Sequence, residues 1–131
     1  MDPLKQGLLR RWLGQVGAAE MLGQLVELLP DRMVFVVDAN RDVLLWNQEA
    51  ERILGFSRAD LLGRHCLTGI RCERCLSGCG LQQQRQIQGE RLLLHRADGS
   101  SLWARKWASA FFDAEGHFQG GVEVLIPEAG T

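Results

Sequence analysis

The chain has 131 residues, 46% of them hydrophobic, which is enough for one compact domain with its own core and an accessory element. Fifteen Lys and Arg against sixteen Asp and Glu leave a formal charge of −1, so the basic field of a nucleic-acid binder is missing and DNA or RNA is not an expected partner. No run of roughly eighteen apolar residues and no secretory leader pattern is present, so no membrane partner is expected and the cytoplasm is the expected compartment.

In chain order, Asp2-Pro3 reads as an N-cap followed by proline at the first helical position, and Leu4, Leu8, Leu9, Trp12, Leu13 and Val16 follow at helical spacing. Gly14 and Gly17 interrupt this pattern. Ala18, Leu22, Leu25, Val26 and Leu29 then form a second apolar stripe that stops at Pro30. Residues 1–30 are therefore expected to form one broken or two short helices. Two roles stay open for them: packing on their own domain, or dimerisation and signal relay through Leu8, Trp12, Leu22 and Leu25.

At Met33 the pattern changes to strand. Met33 to Asp38 is continuously apolar, Ala39 to Asp42 has turn chemistry, and Val43 to Trp46 is a second strand, which together predict a hairpin. Asn47 is placed to cap a short helix with Ala50, Ile53 and Leu54 inward and Gly55 as its left-handed stop. Ser57, with Asp60 three residues on, opens another. A cysteine-rich segment comes next, and Leu81 to Gln88 reads as a polar helix closed by Gly89. Three strands are expected after it, at Glu90 to His95, Leu102 to Phe112 and Phe118 to Ile126, separated by turns at Asp98-Gly99 and Asp113 to Gly116. Gly120-Gly121, between strand residues, predicts a bulge or a close backbone approach. The fold class is α+β with an antiparallel sheet, divided into residues 1–30, a domain over 31–127 and a tail at 128–131.

The run from Val34 to Arg64, VFVVDANRDVLLWNQEAERILGFSRADLLGR, resembles the opening of PAS (Per-Arnt-Sim) sensor domains. The later runs HRADGS from His95 and DAEGHFQGGVEV from Asp113 resemble their closing half. The resemblance implies a five-stranded antiparallel sheet that cups a small pocket against the helices between its second and third strands. It also implies a role in signal transduction without enzymatic activity, with a histidine kinase or transcriptional regulator as effector or partner. Consistent with that, the sequence shows no Ser-His-Asp arrangement, acid-base carboxylate pair or phosphate-binding glycine loop in a sensible context.

All four cysteines lie between Cys66 and Cys79, as Cys66, Cys72, Cys75 and Cys79 in the spacing C-x5-C-x2-C-x3-C. In a reducing compartment such a group reads as metal-binding or redox-active before it reads as a disulfide framework. Four thiolates satisfy tetrahedral zinc or one [4Fe-4S] cluster, and Arg64, Arg71 and Arg74 favour the thiolate form. An iron-sulfur cluster suits a sensor of redox state or gas better than zinc, which does not change valence. Two other readings stay open: a metal-free thiol switch at Cys72-Glu-Arg-Cys75, and inert cysteines beside a pocket that holds a small metabolite or flavin. A ligand-free interaction module is a further alternative.

Gly63-Arg-His-Cys-Leu67 is similar to the start of the flavin-adduct motif of LOV domains, but Thr68-Gly69-Ile70 departs from its continuation, which makes flavin the lesser expectation. Haem is disfavoured because the stretch Gln82 to Gln88, where haem-binding relatives carry their histidine, has none. Trp103 and Trp107 share one sheet face with Arg105, while Leu102, Ala104, Lys106 and Ala108 share the other. The tryptophan face is expected to be covered by the N-terminal helices, with a second subunit in a homodimer or a ligand as the alternative cover.

Overall fold

In a computed structural model the described residues are 6–66 and 85–129. Two helices, α1 (Gln6–Val16) and α2 (Ala18–Val26), lead into the strands β1 (Met33–Asp38) and β2 (Val43–Trp46). The short helices α3 (Gln48–Leu54) and α4 (Arg58–Leu61) follow, and β3 (Gln86–His95), β4 (Ser101–Phe112) and β5 (Phe118–Pro127) complete the described chain. The strands form one antiparallel sheet in the order β2-β1-β5-β4-β3, so β5 lies at the centre with β1 and β4 on either side. The expected α+β architecture is therefore present.

Strand β1 takes an interior place, between β2 and β5, because its residues suit burial on both faces. Met33, Val34 and Phe35 are all within 2% of complete burial. Met33, Phe35 and Val37 point to the inner face, where they join Leu94, Leu102 and Leu125 of the sheet with Ala50, Leu54 and Leu61 of α3 and α4 in one core. Trp46 sits at the middle of this core, tilted against Phe35 with ring centroids 5.7 Å apart. Its indole N–H donates to the Phe56 carbonyl at 2.8 Å, so its polar edge is satisfied inside an apolar setting.

Each hairpin turn opens on an aspartate that accepts hydrogen bonds from the backbone ahead of it. Asp38 accepts from the Asn40 and Asp42 N–H groups, Asp98 from that of Ser100, and Asp113 from those of Glu115 and His117. The Ser100 hydroxyl holds the Asp98 carboxyl below its usual range, and the His117 backbone N–H does the same for Asp113. At Gly120 the expected close approach is real: a Cβ there would lie 2.2 Å from the Val37 carbonyl oxygen of the neighbouring strand.

One predicted element is corrected. The Leu81–Gln88 stretch was expected to be helical, yet β3 begins at Gln86, with Gln86 opposite Ser109 and Ile87 opposite Ala108. Ile87 is buried between exposed Gln86 and Gln88, a period-two alternation that the run of glutamines conceals. Gly89 is not a helix stop but the positive-φ residue of a bulge where the β3–β4 register shifts. Residues 81–84 lie outside the described residues.

Candidate functional site

The cysteine segment starts from a firmly held point. Ser57 caps α4 by accepting from the Asp60 N–H, and the chain leaving α4 is bonded back onto the β1–β2 hairpin. Gly63 donates to the Val43 carbonyl at 2.7 Å, Val43 donates to the Arg64 carbonyl at 2.8 Å, and Cys66 donates to the Arg41 carbonyl at 2.9 Å. Asp42 and His65 form an isolated antiparallel bridge in the same stretch. Cys66 is half-buried and packs against the main core. Cys72, Cys75 and Cys79 lie outside the described residues.

The inner face of the sheet carries a feature that sequence reasoning missed. Lys106 and Glu123 both point inward, 2.5 Å apart, with side chains only 8% and 5% exposed. The register explains the meeting: Lys106 faces Leu125 and Ala108 faces Glu123, so the two charges are diagonal neighbours on adjacent strands. Glu90, half-buried on β3, lies directly opposite Lys106. Beside the pair the inward positions turn small, with Ala108, Ala110 and Gly121 in place of the leucines near α3. Neutralising charge inside a low-dielectric cup requires such a contact, since either ion alone would carry a large desolvation cost. The signal was present in the alternation, because a lysine at an inward strand position demands an acid across the sheet.

The other predicted residues lie elsewhere. On the outer face Trp103 is half-buried beneath the Arg91 guanidinium, which stands 3.9 Å from its ring centroid, and Arg91 is itself bonded to Glu128. Trp107 remains 40% exposed and Phe111 56% exposed, so the expected cover by the N-terminal helices is corrected for this part of the face. Leu8, Trp12, Leu22 and Leu25 are also exposed. The apolar stripes of α1 and α2 therefore stay largely uncovered, with Val26 the one buried residue among the described residues of the two helices. The exposed turn residues Asp113, Glu115 and His117 cluster within 4.8 Å, a proximity their turn hydrogen bonds already explain. Among the described residues, no helix is long and apolar enough to cross a membrane.

An inner-face core with a buried ion pair, enclosed by the antiparallel sheet and the short helices α3 and α4, defines a small α+β module. The chain belongs to the PAS fold family, whose model matches residues 20–124. Among solved structures it is similar to the PAS domain of an HTR-like protein from Haloarcula marismortui, with 21% identity, 91% of this chain and 98% of that chain covered, and a TM-score of 0.62. A PAS domain from Colwellia psychrerythraea gives 12% identity, coverage of 87% and 99%, and a TM-score of 0.68. The LOV domain of the blue-light activated histidine kinase of Erythrobacter litoralis EL346 gives 20% identity, coverage of 76% and 96%, and a TM-score of 0.58. Among curated proteins none matches the sequence.

Proposed function

We propose that this PAS domain is the signal-input module of a cytoplasmic signalling protein, working with a histidine kinase or transcriptional regulator as a homodimer and without catalysis of its own. The input is redox state or a gas, and Cys66, Cys72, Cys75 and Cys79 hold an iron-sulfur cluster or another metal. The observation that carries this reading is the anchoring of Cys66. Its backbone bond to Arg41 and its packing on the core tie the start of the cysteine segment to the β1–β2 hairpin, so a change at the thiols pulls directly on the fold. The donor set fits the group by number and softness, since four thiolates are what one [4Fe-4S] cluster or a tetrahedral zinc takes. A bound cluster would supply one-electron or oxygen-sensitive chemistry, while the chain's part is to hold the thiols and transmit their state.

A second reading, a small ligand in the cup, is favoured by the Lys106–Glu123 pair. Its charges already balance, so a neutral ligand bearing an adjacent acceptor and donor could bond to both without leaving a buried charge uncompensated. Anaerobic purification with absorption spectroscopy and assays of iron, acid-labile sulfide and zinc separates the readings. Visible sulfur-to-iron bands that disappear when all four cysteines become serine support the first. A colourless, metal-free protein sinks it, and an organic chromophore or co-purifying small molecule then points to the second.

A further inference from the structure

The N-terminal helices are attached to the body by a small and mostly polar contact. Among the described residues of α1 and α2, Val26 alone is buried, and no residue before Met33 belongs to the main core. The attachment centres on Asn47, which is 1% exposed and uses its whole carboxamide. Its Oδ1 accepts from the Ala50 N–H, which caps α3, and from the Val34 N–H of β1, both at 3.0 Å. Its Nδ2 donates to the Val26 carbonyl at the end of α2 at 3.0 Å and to the Arg32 carbonyl at 2.9 Å. One side chain thus ties together the last turn of the arm, the first strand and the helix that leads towards the cysteines.

The surrounding contacts are surface ones. Glu27 accepts from the Gln48 N–H at 2.9 Å and pairs with Arg58, while Glu49 accepts from the Asp31 N–H at 2.7 Å and shares Arg52 with Asp31. Arg52 and the Asp31 backbone hold the Glu49 carboxyl down to about 2, so this part of the clasp stays charged at neutral pH. Exposed pairs of this kind contribute little each. The seat itself is incompletely filled: a cleft of about 250 Å³ opens between α2 and the β2–α4 side, bordered by Gly23, Val26, Leu44, Trp46, Arg58 and Leu62. A helix this lightly seated, with no share in the core, can leave without unfolding the sheet.

We propose that residues 6–29 form an arm that undocks as a unit from the α3–α4 shoulder, with the Asn47 carboxamide as its latch. Glu27 and Arg58 steer the arm back onto its seat, and Gln48 and Arg58 place the clasp on the two helices that precede the cysteine segment. A displacement of those helices is therefore read out as arm release, which supplies the relay for the input reading above and rests on it only for the nature of the trigger.

Hydrogen exchange with mass spectrometry on the intact chain tests the latch. Asn47→Asp keeps the acceptor that caps α3 and bonds Val34, but sets a carboxylate oxygen against the Val26 and Arg32 carbonyls. Exchange of amides in 18–29 is expected to accelerate at least about tenfold, the equilibrium shift of one lost hydrogen bond, with β1, β4 and β5 amides unchanged. Glu27→Ala, at the clasp's rim, is expected to act in the same direction with a smaller factor. Equal acceleration of arm and core amides in both variants, or no acceleration of the arm in either, overturns the proposal. The measurement needs no cofactor, so its failure is separate from failure of the cysteine-site reading.

Discussion

Lys106→Met is expected to lower the unfolding free energy by about 3–5 kcal/mol, the usual cost of stranding one member of a buried ion pair. The Glu123 carboxylate, 5% exposed, would lose the ammonium now 2.5 Å away and would have to be protonated or to draw water into the sheet. The double variant Lys106→Met with Glu123→Leu removes both charges and keeps side-chain volume, so most of that loss is expected to return. Urea denaturation of the wild type, both single variants and the double variant closes the cycle. A single-variant cost below about 1 kcal/mol would mean that the pair behaves as a solvated surface contact.

Trp46→Ala is expected to cost about 3–5 kcal/mol, the range for removing a large aromatic from a packed core. Trp46 is 2% exposed and packs tilted against Phe35, and its indole N–H donates to the Phe56 carbonyl in the turn between α3 and α4. Its own carbonyl accepts from Arg58 at 2.7 Å, a backbone contact the substitution leaves in place. Trp46→Phe separates packing from hydrogen bonding and is expected to cost less than the alanine change, with the Phe56 carbonyl left without that donor. Thermal unfolding should show the alanine variant melting roughly ten degrees or more below the wild type. Equal melting of the two variants would show that the indole N–H, rather than ring volume, carries the effect.

Much of the architecture was legible because local chemistry and burial agree there. Met33–Asp38 and Val43–Trp46 have the expected strand limits, and Asn47, Gly55 and Ser57 act as the caps their positions imply. The failures have physical reasons. Ile87 is one apolar residue among glutamines, too few to show a period, and only pairing with β4 makes that stretch a strand. Trp107 was expected beneath the N-terminal helices because an apolar stripe and an apolar sheet face suggest each other. Periodicity, however, marks a face without naming what covers it, and the arm docks instead near β2, where Val26 and Asn47 meet.

The functional residues divide in the same way. The cysteine spacing is plain in the sequence, while the Lys106–Glu123 contact depends on a diagonal register between strands separated by a turn. Asn47 reads in sequence as a helix cap, which it is; its other three side-chain hydrogen bonds reach residues 13, 15 and 21 positions away and follow only from the way the chain folds back. A cap with an unused donor group, set directly after a buried tryptophan, is the only local hint that the side chain has a second task.

The central claim is that a chemical change at the cysteine segment moves the N-terminal arm. Its most direct test is hydrogen exchange over residues 18–29 in anaerobically purified protein before and after exposure to air. The expected result is a change in arm exchange that accompanies loss of the cluster spectrum and is absent when all four cysteines are replaced by serine. Arm exchange that is the same before and after air, or that responds equally in the serine variant, would contradict it.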